Sequence, residues 1–246
     1  MHARRFVSSF LVVLGLLALG LPAAVHAQAP DEFVPVTDAM LQDPDPEDWL
    51  MWRRTLDTLG YSPLDQIDRG NVGDIRMVWT RALGPGLQQG TPVVYDGVMY
   101  MPNPRDVIQA LDAVTRDLIW EYRRDRPDDL AEYMIGSLTD TNRNIAIWGE
   151  LIIDTSGDDY IFALDAKTGE LVWETEVLDY RVHPANQPSG PIVADGKVVS
   201  GRSCAPKGGP HACVIVAHDA TTGEELWRRR LIPGPGEPGH ESRGAV

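Results

Sequence analysis

Short apolar runs alternate with turn-forming residues along most of the chain, and one eleven-residue pattern occurs three times. Each copy begins with an Ala and an Asp, continues through a Thr and usually a Gly, and closes on a Trp. The copies are Ala110–Trp120, Ala163–Trp173 and Ala217–Trp227, and their tryptophans lie 53 and 54 residues apart. A fixed period of about 50 residues indicates a repeat architecture.

A second apolar unit precedes each copy of this pattern and contains a central Gly. These units are Pro92–Tyr100, Ala146–Ile153 and Pro191–Val199. Apolar residues on both sides of a Gly predict two strands joined by a tight turn. Each repeat then holds about four short strands, which is typical of one propeller blade. We therefore predict an all-β fold, a β-propeller of four-stranded blades, with about three to four blades in residues 49–246.

The residues of the repeated pattern favour a structural role. Asp and Thr side chains cap turns through bonds to the backbone, and Gly supplies the positive φ that such turns need. The strand that follows delivers a Trp, which we expect between neighbouring sheets rather than against a cofactor. The first copy has Arg116 where the others have Gly169 and Gly223. Trp79 is predicted on a preceding strand.

The N-terminal 27 residues predict a secretory signal peptide. Arg4 and Arg5 precede an apolar run over residues 10–21, and small residues end at Ala27. A membrane anchor is the alternative, but about 12 apolar residues are too few to span a bilayer. Gln28 follows where a lipoprotein needs Cys. We expect a periplasmic protein without a membrane anchor, and an extended lead-in over residues 28–48.

The charge of the chain excludes some classes of partner. The net charge is −14, and removal of residues 1–27, which contain two arginines and no acid, makes it −16. Such a chain repels nucleic acid and anionic membranes. The charge could attract a basic protein or simply confer solubility.

Cys204 and Cys213 are the two cysteines, and we expect them to form a disulfide in an oxidising compartment. A metal site with His211 and His218 is the alternative. The paired C-x-x-C spacing of structural zinc sites is missing.

Several segments together resemble the N-terminal part of the pyrroloquinoline-quinone (PQQ) dependent alcohol and methanol dehydrogenases. They are the three repeats, Trp52, Tyr61–Ile67, Asn71-Val72, Trp79 and Pro233–Gly239. The resemblance implies an eight-bladed propeller with PQQ in its axial channel beside a calcium ion. It also implies oxidation of an alcohol to an aldehyde or ketone, with a c-type cytochrome as electron acceptor.

The resemblance also suggests cofactor-binding residues. Arg143, in the Asn142-Arg143 pair, matches an Arg that contacts the quinone oxygens, although an ion pair with Asp140 is an alternative role. Gln89 falls where the family usually has a PQQ-binding Glu. Ser203 and Ala205 match a Ser-Gly-Ala segment that lies beside a calcium-binding Glu.

That calcium-binding acid has no counterpart, because Pro206 follows Ala205 and neither position carries a carboxylate. In the family the catalytic base and further ligands lie in later blades. We therefore expect a truncated fragment with no catalytic residue and no metal ligand of its own. A non-catalytic periplasmic propeller, acting as a binding or assembly scaffold, is the alternative.

A nicotinamide-binding site is excluded. The Gly-rich segment Gly234–Gly239 fits G-x-G-x-x-G formally, but its prolines prevent the helix that must begin there.

Overall fold

The three repeats form three four-stranded antiparallel sheets in the computed structural model, which describes residues 32–134, 140–187, 189–203, 209, 211–234 and 236–242. The first sheet contains β1 Val93–Tyr95, β2 Val98–Asn103, β3 Val107–Asp112 and β4 Leu118–Arg123. The second contains β5 Ala146–Trp148, β6 Leu151–Thr155, β7 Tyr160–Asp165 and β8 Leu171–Glu176. The third contains β9 Ile192–Ala194, β10 Lys197–Gly201, β11 Val214–Asp219 and β12 Glu225–Arg230.

Each sheet is a meander in which sequential strands pair, as the predicted hairpins require. The β1–β2 turn has positive φ at Asp96 (47°) and Gly97 (74°), and the β9–β10 turn has it at Asp195 (52°) and Gly196 (64°). Two consecutive residues of positive φ make the two-residue turn that suits twisted antiparallel strands. The prediction of four-stranded blades is confirmed.

The turn between the third and fourth strand has the same construction in all three sheets. The Asp carboxylates of the repeat, Asp112, Asp165 and Asp219, each accept backbone N–H bonds from the residues two and three positions later, at 2.6–2.9 Å. A bulge follows the repeat's Ala each time. The sequence repeat is therefore a backbone repeat.

Two of the repeat tryptophans, Trp120 and Trp173, join neighbouring sheets, as predicted. A Cβ added to Gly169 would lie 2.6 Å from the Trp120 ring, and one added to Gly223 would lie 2.5 Å from the Trp173 ring. Each Trp therefore stacks on the glycine turn of the following sheet, at a distance that only glycine allows. The prediction for Trp79 is wrong, because residues 75–92 form no strand.

The lead-in packs onto the sheets. Val36 pairs with Gly149, and Leu41 is buried in the main core. Immediately after the lead-in, Trp49 pairs with Val94 of β1. Leu41 belongs to a one-turn helix, α1 Asp38–Gln42, so this part of the lead-in is not fully extended.

A second short helix, α2 Leu130–Tyr133, lies between the first two sheets in the chain. No helix in the described part of the chain is long and apolar enough to cross a bilayer.

Candidate cofactor site

The upper face, defined as the end of the three sheets at which β1, β5 and β9 begin, brings three loops together. The Arg143 carbonyl accepts a 2.8 Å bond from the Thr91 N–H, which joins the loops before β1 and β5. The Asn144 amide donates to the Ser189 carbonyl, which joins the loops before β5 and β9. A Cβ at Gly190 would lie 2.1 Å from the Asn144 carbonyl oxygen, so glycine is needed for this approach.

Two residues predicted to bind the cofactor, Gln89 and Arg143, contact each other on this face. The Arg143 Nε–H donates to the Gln89 Oε1 at 2.6 Å. Arg143 is half-buried and Gln89 is exposed. The pair presents a guanidinium and an amide, and both groups suit the carbonyl and carboxylate oxygens of an anionic ligand.

The alternative role for Arg143, an ion pair with Asp140, is not what the structure shows. Asp140 pairs with Arg126, with 2.9 Å between Oδ1 and Nη1. Arg126 also lies 3.5 Å from the buried carboxylate of Asp106. Burial raises the pKa of Asp106 to about 6, although Arg126 opposes this shift.

The residue before Arg143 is fixed by a buried carboxylate. Asn142 is 5% exposed, and its Nδ2 donates to Asp154 Oδ2 at 2.5 Å. Asp154 is wholly buried, and its Oδ1 accepts the Thr155 N–H at 2.7 Å. Burial, reinforced by the nearby Asp106 carboxylate, raises the pKa of Asp154 well above its ordinary value.

Ser203 lies at the end of the third sheet and is bound to the backbone of Asn186. Its Oγ accepts the Asn186 N–H at 3.1 Å, while its own N–H donates to the Asn186 carbonyl at 2.9 Å. The hydroxyl keeps its proton as a donor. Ala205, the other predicted contact in this segment, lies outside the described residues.

The chain is similar to known proteins over most of its length. Residues 49–245 match the family model described as "PQQ: Glucose/ethanol/alcohol dehydrogenase, beta-propeller domain". The chain belongs to this family.

Curated relatives of this PQQ family include the dehydrogenase subunit of a quinone alcohol dehydrogenase from Komagataeibacter europaeus, 35% identical over 83% of this chain and 28% of the relative. The quinohemoprotein alcohol dehydrogenase ADH-IIG of Pseudomonas putida is 34% identical over 95% of this chain and 32% of the relative. The chain thus spans about a third of the length of these relatives.

Solved structures give the same result. The structure of the Pseudomonas putida HK5 enzyme ADHIIG has a TM-score of 0.73 and 33% identity, over 82% of this chain and 30% of that one. A europium-containing methanol dehydrogenase has a TM-score of 0.70 and 26% identity, over 79% of this chain and 34% of that one. The propeller fold is therefore established.

The residues of the upper face suit PQQ better than they suit a calcium ion. The donor set of Arg143 and Gln89 suits PQQ, which carries quinone oxygens and carboxylates. Within the described ranges, no three His, Cys, Asp or Glu side chains come together to hold a metal ion. We therefore assign no step to a metal.

The structure describes one of the two cysteines that are predicted to form a disulfide. Cys213 is buried immediately before β11, whereas Cys204 lies outside the described residues. On β11, His218 is fully buried and its two ring nitrogens have no hydrogen-bond partner in the described structure. The disulfide stays a prediction.

Sequence reasoning missed Asp154 and Asp106. Both lie in or next to a turn and resemble ordinary turn residues in the sequence. A weak signal was present for Asp154, because it follows the apolar run Leu151–Ile153 in a predicted strand. A carboxylate on a buried strand needs a partner, and here the partner is Asn142.

Proposed function

We propose that this chain binds PQQ at its upper face and is part of an enzyme that oxidises a small alcohol to an aldehyde or ketone. The observation that carries the proposal is the contact between Arg143 and Gln89, beside the first strands of neighbouring blades. Family membership supports the choice of PQQ. The names of the relatives favour a dehydrogenase over a non-catalytic scaffold.

Arg143 has the clearest chemical role in this proposal. When bound, PQQ supplies the quinone that accepts two electrons from the alcohol. A guanidinium beside a quinone oxygen stabilises the negative charge that develops there during reduction. Gln89 holds the Arg143 Nε–H through its carbonyl oxygen, so an amide can perform this orienting task without a carboxylate.

Ser203 and Ala205 are proposed as further contacts at the third blade. The Ser203 hydroxyl accepts a backbone N–H and can still donate its proton to a ligand oxygen. No general base is assigned among the described residues, since Asp106 and Asp154 are buried and bonded to protein groups. We therefore expect PQQ binding by this chain without alcohol turnover.

The cellular setting completes the proposal. We infer export to the periplasm by the signal peptide of residues 1–27, a c-type cytochrome as electron acceptor, and a disulfide between Cys204 and Cys213. Mass spectrometry of a non-reduced digest should find one linked peptide pair. Two free thiols in periplasmic material would contradict the disulfide.

Titration of PQQ into residues 28–246, followed by calorimetry, tests the binding site. The wild type should bind one PQQ, and Arg143→Ala should weaken binding about 10- to 100-fold, the effect of losing one or two charged hydrogen bonds. Arg123→Ala is the matched control, because Arg123 lies at the same end of the first sheet with a side chain that is 66% exposed. Absence of binding, or equal losses in both variants, would contradict the proposal.

A further inference from the structure

Asp154 is a buried carboxylate whose position the propeller fold does not require. In the strand register, Asp154 pairs with Phe162, the residue immediately before the repeat's Ala163. The same register position is Met101 in the first sheet and Ser200 in the third. A blade therefore forms with an apolar or a small polar residue here, so the acid is particular to the second blade.

One of the two hydrogen bonds of Asp154 connects it to the segment that carries Arg143. Its Oδ2 accepts the Asn142 amide at 2.5 Å, and Asn142 immediately precedes Arg143. On the other side, residue 142 bridges to Gln88, and the Arg143 carbonyl accepts the Thr91 N–H at 2.8 Å. The segment carrying Arg143 is thus held between the first blade and Asp154.

Fixing the segment that carries Arg143 keeps its guanidinium in place before a ligand binds. Arg has many rotamers, and an Arg on a mobile loop would lose much of its binding energy when it becomes ordered. A buried carboxylate is costly unless its oxygens are bonded, and here both are. A hydrogen bond to Asn142 therefore fixes the backbone of the loop strongly.

We propose that Asp154 is a positioning residue, which holds Asn142 and thereby sets the place of Arg143 in the PQQ site. The inference rests on the proposed function, but it also predicts how the Arg143 side chain behaves in the chain without a ligand. In the unliganded protein, loss of the Asp154 contact should loosen the Arg143–Gln89 bond.

The first experiment observes the Arg143 Nε–Hε signal by NMR in ¹⁵N-labelled residues 28–246 without PQQ, with the signal assigned through Arg143→Lys. Asp154→Asn should shift or broaden this signal. Asp158→Asn is the matched control, because Asp158 is also buried and follows four residues later, but it binds Arg124 at 2.9 and 3.0 Å. That control should leave the Arg143 signal unchanged.

The second experiment measures PQQ affinity by calorimetry. Asp154→Asn should raise the Kd about 3- to 10-fold, and the same substitution in an Arg143→Ala background should have no further effect, because coupled residues are not additive. The exchanged pair Asn142→Asp with Asp154→Asn restores a donor facing an acceptor and should recover most of the affinity. A merely structural role would give equal losses with and without Arg143.

The NMR signal tests the positioning role of Asp154, and PQQ binding by the wild type tests the proposed function. An unchanged Arg143 signal in folded Asp154→Asn protein overturns the positioning role, whatever the PQQ result. A perturbed signal in a protein whose wild type binds no PQQ supports the positioning and contradicts the proposed function. If Asp154→Asn does not fold, Asn142→Ala removes the donor while keeping the carboxylate, and the same NMR outcome is expected of it.

Discussion

The seam between the first and second sheets and the seam between the second and third use one aromatic contact with different polar partners. In the first seam, Trp120 is 8% exposed and its indole N–H donates to the Ala166 carbonyl at 2.9 Å. In the second seam, Trp173 is only partly buried, and its enclosed indole nitrogen has no partner among the described residues. Thr175 instead donates across this seam to the Gly223 carbonyl at 2.7 Å.

The ion pairs that cross the two seams also involve different residues. Arg124 reaches across the first seam to Asp158 and Glu174, at 2.8–3.0 Å. Across the second seam, Arg202 pairs with Asp159 at 2.7 Å, and both side chains are wholly buried. The backbone repeat thus dictates the stacking of Trp on Gly, whereas the polar contacts of the two seams involve different residues.

The largest effect that this comparison predicts is for Trp120→Ala. We expect a loss of roughly 3–5 kcal/mol in the free energy of unfolding, because the substitution empties a buried contact and removes a hydrogen bond. Trp173→Ala should cost less, about 2–3 kcal/mol, since its ring is less buried and its N–H is unpaired. Urea denaturation measures both values.

Trp227 supplies the control for these two variants. It occupies the same place in the third repeat but is 37% exposed in the described structure. Trp227→Ala should therefore cost below about 1 kcal/mol. An equal loss at all three tryptophans would show that the seams do not differ energetically.

The third sheet differs from the other two at His218, and this difference predicts a pH dependence. The corresponding residues of the first two sheets are the buried Leu111 and Leu164. Burial lowers the pKa of His218 to about 4, against the pull of Glu225, while Arg202 and Arg228 lower it further. The folded state therefore holds His218 neutral.

The direction in which stability changes with pH follows from the difference in proton binding between the folded and unfolded states. Below pH 6.5 the unfolded chain protonates this His while the folded chain does not, so stability is lost as the pH falls from about 6.5 toward 4. His218→Leu should gain about 1 kcal/mol at pH 7.5, because it removes buried nitrogens without partners. Its advantage should grow by roughly 1–3 kcal/mol at pH 4.

The measurement is the difference between the two unfolding free energies at each pH. A difference is needed because buried acids such as Asp106 and Asp154 shift stability in the opposite direction. A constant difference from pH 7.5 to 4 would contradict the neutral, buried state of His218.

The smallest expected effect concerns the turn of the first sheet. Arg116 has φ of 74°, the same value as Gly169 and Gly223, and a non-glycine residue is strained there. Arg116→Gly should stabilise the protein by about 0.5–1 kcal/mol in thermal or urea unfolding.

The sequence predicted the repeating parts of this molecule well. The Asp, Thr and Gly positions fixed the turns, and the closing Trp indicated the seams, because both depend on local backbone geometry. Trp79 was placed wrongly because a sequence motif shows the tendency to form a strand, whereas a strand exists only beside a paired neighbour. Residues 75–80, which include Trp79, pair with no strand in the described structure.

The candidate site was predictable only in part. Gln89 and Arg143 are 54 residues apart, and only family resemblance suggested both. Their direct contact depends on how the first two blades pack. Asp154 and its bond to Asn142 were missed, since a single acid near a turn has no distinctive pattern. Contacts between blades are set by three-dimensional packing, which the repeat alone does not determine.

The most direct test of the central claim follows the Arg143 Nε–Hε NMR signal during a titration with PQQ. The account predicts that this signal shifts progressively and saturates at one PQQ per chain, in step with the calorimetric binding curve. The Nε–Hε signal of the exposed Arg123 should stay in place. Saturable PQQ binding that leaves the Arg143 signal unmoved would contradict the account, because the cofactor would then bind elsewhere on the chain.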